Sequence, residues 1–411
     1  MNNATVLFPG QGSEYVGMGK SLYDNYPEAK EIFHIADTRL GYNLSDIIFY
    51  GSEKELSNQA ILQPAILTTS VAFYTILVNQ FNLSIDYFAG FGLGEITALV
   101  CAGALDFSEG IWLVSEWGNI IENESIQVGN WINLKVTAKN GYNIHNAINN
   151  LNNKNLEAIV TGYISDHCLL ICVLDKNEKE VFEELQNLPI EVERLSSNLP
   201  FYTKHMSPVS KKLKKIISKV NINANSNVAQ VITVLPEGKE LNKKDILKNL
   251  MERMCLPVHW KEMLHEIVSG GCSNFIDVGP SGMLSDFLKQ EYKDLNMANL
   301  DYSGDAYFSL SIFQDKKLFN KKFLLGKMMA AAVSIPNKNF DEKEYNAGVV
   351  IPYTDMKKQY ENICGKQSEL THQQLIEAKN HLIQIMKTKG LNQEEVNWRI
   401  RRLQDETLIS L

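Results

Sequence analysis

A chain of 411 residues that is 45% hydrophobic and 21% charged is long enough for two or three domains and too apolar to be disordered. Its net charge of −8 and its lack of a long Lys/Arg block argue against nucleic-acid binding, since the densest basic run, KKLKK at 211–215, reads as a solvated helix face. Cysteines at 101, 168, 172, 255, 272 and 364 form no CxxC pair and flank no histidine cluster, so neither a metal site nor a disulfide framework is expected, and free thiols suit the cytoplasm.

From the N-terminus, MNNATVLFPGQGS has neither a basic n-region nor a long apolar core, and no signal peptide is expected. No run of 18 apolar residues is recognised, so no membrane span is expected. Ala4–Phe8 reads as a buried strand entering the tight loop PGQGS. Helical patterns follow over 20–38 and 64–80, then a strand at 85–89 and helices over 94–102 and 108–122. Strands alternating with helices imply a mostly parallel sheet covered by helices. The middle reads differently. Strands at 131–138, 156–165, 168–174 and 190–195, with helices within 140–155 and 179–188, follow the βαββαβ order of a ferredoxin-like unit inserted at 126–196. The large α/β domain then spans 1–125 and 197–310, resuming with a helix at 207–220, a strand at 228–235, a helix at 244–254 and a strand within 273–280.

Residues 311–411 form a mostly helical extension in this reading. An apolar helix stops at Pro336, and NKNFDEKEYNAGVVIPY reads as a turn-rich connector. Thr371-x-x-Gln374 and Asn392-x-x-Glu395 are capping boxes that start two helices of a hairpin. Leu375, Ala378, Leu382 and Met386 form the stripe of the first, and Val396, Ile400 and Leu403 that of the second.

The most informative stretch is DYFAGFGLGEITALVCAGALDF at 86–107. A strand enters a Gly-x-Gly-x-Gly turn and leaves as a helix. This is the form of a nucleophile elbow, with Gly92 where a serine or cysteine should stand. An elbow residue sits at positive φ, where a side chain costs about 1–3 kcal/mol, so glycine keeps the turn once the nucleophile is dispensable.

With FPGQGSEYVGMG at 8–19, QPAILTTSVAFY at 63–74, PVHW at 257–260 and FIDVGPSGML at 275–284, the chain resembles the malonyl-CoA:acyl-carrier-protein transacylases and the acyltransferases of polyketide synthases over residues 4 to about 300. The resemblance implies an α/β-hydrolase-like large domain with a ferredoxin-like insert. It also implies ping-pong transfer of an acyl group from coenzyme A, through a serine, to the phosphopantetheine thiol of a carrier protein. Carried over residue by residue, the serine falls at Gly92, the histidine before it at Phe91, the catalytic base at Tyr202 and the carboxylate-binding arginine at Trp117. An asparagine of the insert falls at Ile164 and a late glutamine at Arg253. Gln11, Gln63, Gly90, Gly94 and Glu95 are retained, and the backbone N–H groups of Gln11 and Leu93 would form the oxyanion hole.

Glycine has no heteroatom to acylate, tyrosine with an ordinary pKa near 10 is a poor base, and an indole cannot pair bidentately with a carboxylate. His205 is the other candidate for the cleft. Asp166-His167-Cys168 mimics a triad only in order, because neighbours on a strand point to opposite faces. The expectation is a non-catalytic homologue that binds an acyl carrier protein or a synthase module. It needs no cofactor of its own, and any acyl or phosphopantetheine ligand arrives on the partner. The alternative is an enzyme working on carrier-bound acyl groups without a covalent intermediate, with Phe91, Trp117 and Tyr202 around the backbone donors.

Overall fold

The computed structural model describes residues 3–80, 84–223, 231–232, 246, 250, 252–292, 295–301, 321–366, 371–393 and 395–400. The chain divides into two compact units, residues 1–309 and 310–411.

The first unit is built on two sheets. Strand β1 (Asn3–Phe8) is buried from Ala4 to Phe8, with Val6, Leu7 and Phe8 fully enclosed. It pairs in parallel with β2 (Ser84–Gly90) on one side and β9 (Asn274–Asp277) on the other. β10 (Asn296–Asn299) and β7 (Val231–Ile232) extend the sheet to the order β10-β9-β1-β2-β7, every described pairing parallel. Continuous apolar strands are what a parallel sheet covered on both faces requires. Phe8 faces Gly90 at the shared carboxyl end, so the loop after β1 and the turn after β2 emerge side by side. That edge is where open α/β sheets hold their ligands.

The second sheet contains β3 (Trp131–Ala138), β4 (Ile159–Tyr163), β5 (Cys168–Leu174) and β6 (Ile190–Arg194) in the order β6-β3-β5-β4. Helices Ile144–Asn153 and Glu178–Gln186 bury Ile144, Ile148, Leu151, Val181 and Leu185 against it. This is the ferredoxin-like arrangement on an α/β-hydrolase-like core. A fifth strand, β8 (Val258–His259), comes from beyond the insert and runs parallel to β4.

Three local expectations change. Helix Gln59–Gln80 begins before Pro64 and carries the proline in its interior, so proline does not mark its start here. The same helix is uncharged and apolar enough over Gln59–Asn79 to match a membrane span, against the expectation that no such stretch exists, but 78% of that window is buried inside the protein. The pattern over 20–38 is two helices, Lys20–Asn25 and Pro27–Leu40, divided at Tyr26. Most of the strand read at 228–235 and of the helix read at 244–254 lies outside the described residues, as does Leu403.

In the second unit, helices Lys321–Ser334 and His372–Thr388 share a core of Leu325, Met328, Leu375, Ala378, Leu382 and Met386. Both capping boxes form: Gln374 N–H donates to Thr371 Oγ1 at 3.2 Å and Glu395 N–H to Asn392 Oδ1 at 2.9 Å, each with the reciprocal bond. The segment read as a turn-rich connector is helical. Glu342–Tyr345 is capped by Asp341, passes through a π-turn at Asn346–Val350 and continues as Ile351–Lys366. Val349, Tyr353, Met356 and Tyr360, spaced by four, three and four residues, face the core and hold this helix despite its Gly and Pro.

Lys389 is only 6% exposed, and its ammonium donates to Ala332 O at 2.8 Å and Ile335 O at 3.0 Å, closing the end of helix Lys321–Ser334. Burial lowers its pKa from the ordinary lysine value. Lys389→Met is expected to strand two carbonyls at a cost of about 1–3 kcal/mol. Faster amide exchange confined to residues 321–335 and their packing partners would show it; unchanged exchange there would rule out the cap.

Candidate functional site

β2 leaves the sheet at Gly90 and turns through Phe91, Gly92 and Leu93 into helix Gly94–Cys101. Phe91 N–H donates to Phe8 O at 2.9 Å, and Gly94 N–H returns to Phe91 O at 3.0 Å. A Cβ at Gly94 would overlap Phe8 O, and one at Gly90 would overlap the Gly94 backbone, so the flanking glycines let two chains touch. Gly92 sits at φ +62°, the left-handed region of an elbow.

Tyr202 lies opposite the turn. A Cβ on Gly92 would overlap Tyr202 Oη and stand 3.3 Å from Cζ. The phenol occupies the space into which any side chain at 92 would project. Tyr202 itself has φ +64°, uncommon for a bulky residue, and this backbone conformation aims the ring at the elbow. Burial, and then the nearby Glu95 carboxylate, raise its pKa well above the ordinary phenol value. It stays protonated at neutral pH.

Two cavities meet at this ring. The inner one, about 50 Å³, is bounded by Gln11, Gln63, Gly92, Trp117, Tyr202 and Arg253, with Leu93 and Phe201 beside them. The outer one, about 380 Å³, lies between the sheets and includes Gln11, Phe91, Lys135, Leu170, Tyr202 and Phe287. Gln11, Phe201 and Tyr202 line both and so stand between them. Trp117 projects into the inner cavity from helix Phe107–Val128. Gln63 is buried and donates through Nε2 to Gln59 Oε1 at 2.8 Å.

A feature not read from the sequence is a buried ion pair in the inner cavity. Arg253 Nε lies 3.5 Å from Glu95 Oε1, while Glu95 Oε2 and Arg253 Nη2 are buried without partners. Burial raises the Glu95 pKa and the guanidinium opposes the rise. The two residues are 158 positions apart, which no local pattern reveals; the only signal was an arginine replacing a neutral residue beside a retained acid.

Two candidates lie elsewhere. Ile164 borders neither cavity: it is 2% exposed in the core with Phe91, Leu170 and Trp260, because its strand end packs inward. His205 also borders neither. It leans on the Trp131 ring at 4.7 Å and lies 3.5 Å from Glu157, held aside by the short turn Lys204–Met206. Asp166 pairs with Lys261 and Cys168 is buried against Thr137, so no triad forms there. Among the described residues no cluster of three acidic, His or Cys groups suits a metal ion.

Residues 5–306 match the family model of the acyl transferase domain. The chain belongs to that family. A malonyl CoA-acyl carrier protein transacylase of Bacillus subtilis is 27% identical over 390 residues, covering 94% of this chain and 96% of its own. That match is longer than the first unit, so the similarity runs into the second. Another, from Bacillus subtilis strain 168, is 31% identical over 299 residues, covering 71% of this chain and 90% of its own. Among solved structures, the same kind of transacylase from Streptococcus pneumoniae superposes with a TM-score of 0.64 at 30% identity, over 75% of this chain and 98% of its own. A malonyl-transacylase solved with a type II polyketide acyl-carrier protein gives 0.68 at 24%, over 76% of this chain and 100% of its own, a likeness of fold. In this acyl transferase domain the turn at 90–94 therefore keeps the backbone of an elbow while position 92 has no side chain and Tyr202 covers it.

Proposed function

We propose that this acyl transferase domain homologue does not carry an acyl group on its own chain and serves fatty-acid or polyketide assembly as a partner of an acyl carrier protein. The observation that carries the reading is the Tyr202 phenol filling the space a nucleophile at 92 would need. Three further features support it. Gly92 offers no oxygen or sulfur. The phenol, its pKa raised, cannot accept a proton near neutrality. Trp117 supplies an indole where a guanidinium would hold malonyl, and the cation that does enter the cavity, Arg253, already faces Glu95. The N–H groups of Gln11 and Leu93 have no protein acceptor among the described residues, so an oxyanion hole can survive without its chemistry.

Mixing the full chain with malonyl- and acetyl-coenzyme A should leave its intact mass unchanged, and immobilised holo acyl carrier protein should retain it. A stable acyl adduct would falsify the non-catalytic reading; failure to bind any carrier protein of the same organism would remove the partner.

The outer cleft supports a second reading, in which carrier-bound acyl groups are processed without a covalent intermediate, Tyr202 donating a hydrogen bond at the inner end. Turnover of an acyl-carrier substrate that disappears in Tyr202→Phe would favour it. Equal rates in the two proteins would eliminate Tyr202 from any such step.

A further inference from the structure

The two cavities differ in what they can hold. Ligand pockets span about 300–1,000 Å³, a range that includes the outer cleft at about 380 Å³ and excludes the inner cavity at about 50 Å³. Gln11 and the aromatic pair Phe201 and Tyr202 line both, so a chain entering the outer cleft meets these side chains before the inner cavity. Its terminal group must stop short of Gly92.

The outer cleft has an apolar side made of Phe91, Leu170, Met283 and Phe287. The Phe91 ring sits edge-on to Phe287 at 6.1 Å and to Trp260 at 5.5 Å, which fixes that wall. Its charged groups are already matched. Lys135 Nζ lies 3.0 Å from Glu193 Oε2 and over the Phe287 ring, and Arg194 Nη1 lies 2.6 Å from Glu178 Oε1. Glu14 takes the Gly12 N–H at 2.6 Å, and burial raises its pKa. Among the described residues, both cations lining the cleft already face a carboxylate, which disfavours an acidic head group.

Resting on the carrier-protein reading above, we propose that the outer cleft binds a neutral, medium-length apolar acyl chain attached to a pantetheine-type arm. The chain lies on the Phe91–Leu170–Met283–Phe287 wall, and both malonyl groups and free fatty acids are rejected. Phe91 is then a specificity-determining residue: a polar ring there would break the apolar wall at its centre.

The test is calorimetric titration of the full chain with amide-linked pantetheine analogues that cannot transfer their acyl group. Octanoyl-pantetheine amide should bind at least about tenfold more tightly than the acetyl analogue, a fraction of what six further buried methylenes supply. The malonyl analogue and sodium octanoate should bind no better than the acetyl analogue. Met283→Trp, which fills the cleft, should remove the octanoyl advantage; Phe287→Leu, a smaller change, should reduce the advantage severalfold if the tryptophan variant does not fold. Equal affinities for octanoyl and acetyl analogues would overturn the proposal, and octanoate binding as tightly as the octanoyl analogue would identify a fatty-acid site instead. Intact masses recorded on the same samples after adding acetyl-coenzyme A separate the outcomes: an adduct defeats the non-catalytic reading, while equal affinities without an adduct defeat the acyl-chain site alone.

Discussion

Gly92→Ser should destabilise the protein and still yield no acyl-enzyme, whereas Gly92→Ser/Tyr202→His should take an acetyl group from acetyl-coenzyme A. The single variant meets two penalties. At φ +62° any side chain is strained by about 1–3 kcal/mol, and the new Cβ overlaps Tyr202 Oη. A loss of about 2–4 kcal/mol in urea unfolding is expected. Removing the phenol in the double variant relieves the overlap but not the strain, so part of the loss should return, and the non-additivity measures the overlap. Histidine also suits the backbone at 202, which lies at φ +64°, since it enters the left-handed region more readily than most residues.

The chemical outcome separates for a different reason. A serine needs a base within hydrogen-bond reach, and the phenol is held protonated by burial and by Glu95. An imidazole at 202 supplies that base beside intact backbone donors. Members of such a unit do not substitute for one another, so the gap between single and double variants should approach about a thousandfold in acylation rate. Malonyl transfer should stay poor until Trp117→Arg is added, because Arg253, the described guanidinium lining the inner cavity, is already set against Glu95. Rapid mass-resolved acylation of the single variant would mean that another group already serves as base.

Much of this was legible in the residues, and the illegible parts share a cause. The strands at 131–138 and 168–174 follow their apolar runs, and the capping boxes at 371 and 392 form as spaced, since neighbours within one element decide them. The helix beyond 342 was hidden by Asn, Gly and Pro, although the spacing of Val349, Tyr353, Met356 and Tyr360 already carried its period. The position of Gly92 in a sharp turn was readable from the flanking glycines. That Tyr202 would lean into the elbow was not, because it depends on a positive φ set by the surrounding fold. His205 was read near the cleft because it lies three positions after Tyr202, and Ile164 because a family position falls there; neither borders the two cavities, since His205 rests on the Trp131 ring and Ile164 is buried in the core with Phe91 and Leu170. The two cavities that share Tyr202, and the ion pair lining the inner one, belong to tertiary structure alone.

That ion pair yields the second large effect. Arg253→Met should cost about 3–5 kcal/mol at neutral pH, the usual result of stranding one charge of a buried pair. Glu95 is 3% exposed and its Oε2 has no partner even with Arg253 present, so no other group stands ready to compensate. Glu95→Gln/Arg253→Met should recover most of the loss, because a neutral pair needs no counter-charge. The pH dependence has a definite sign. Burial already raises the Glu95 pKa above its unfolded value, and losing the guanidinium, the opposing influence, raises it further. A raised carboxyl pKa gives a contribution that is fully present below the unfolded value, near 4.5, and is lost as pH rises through the folded one. The stability deficit of Arg253→Met relative to the parent should therefore shrink as pH falls from 7 towards 4.5 and be absent as a pH effect in the Glu95→Gln background. A deficit that is constant across this range would show that Arg253 acts by packing against the cavity wall and not through its charge on Glu95.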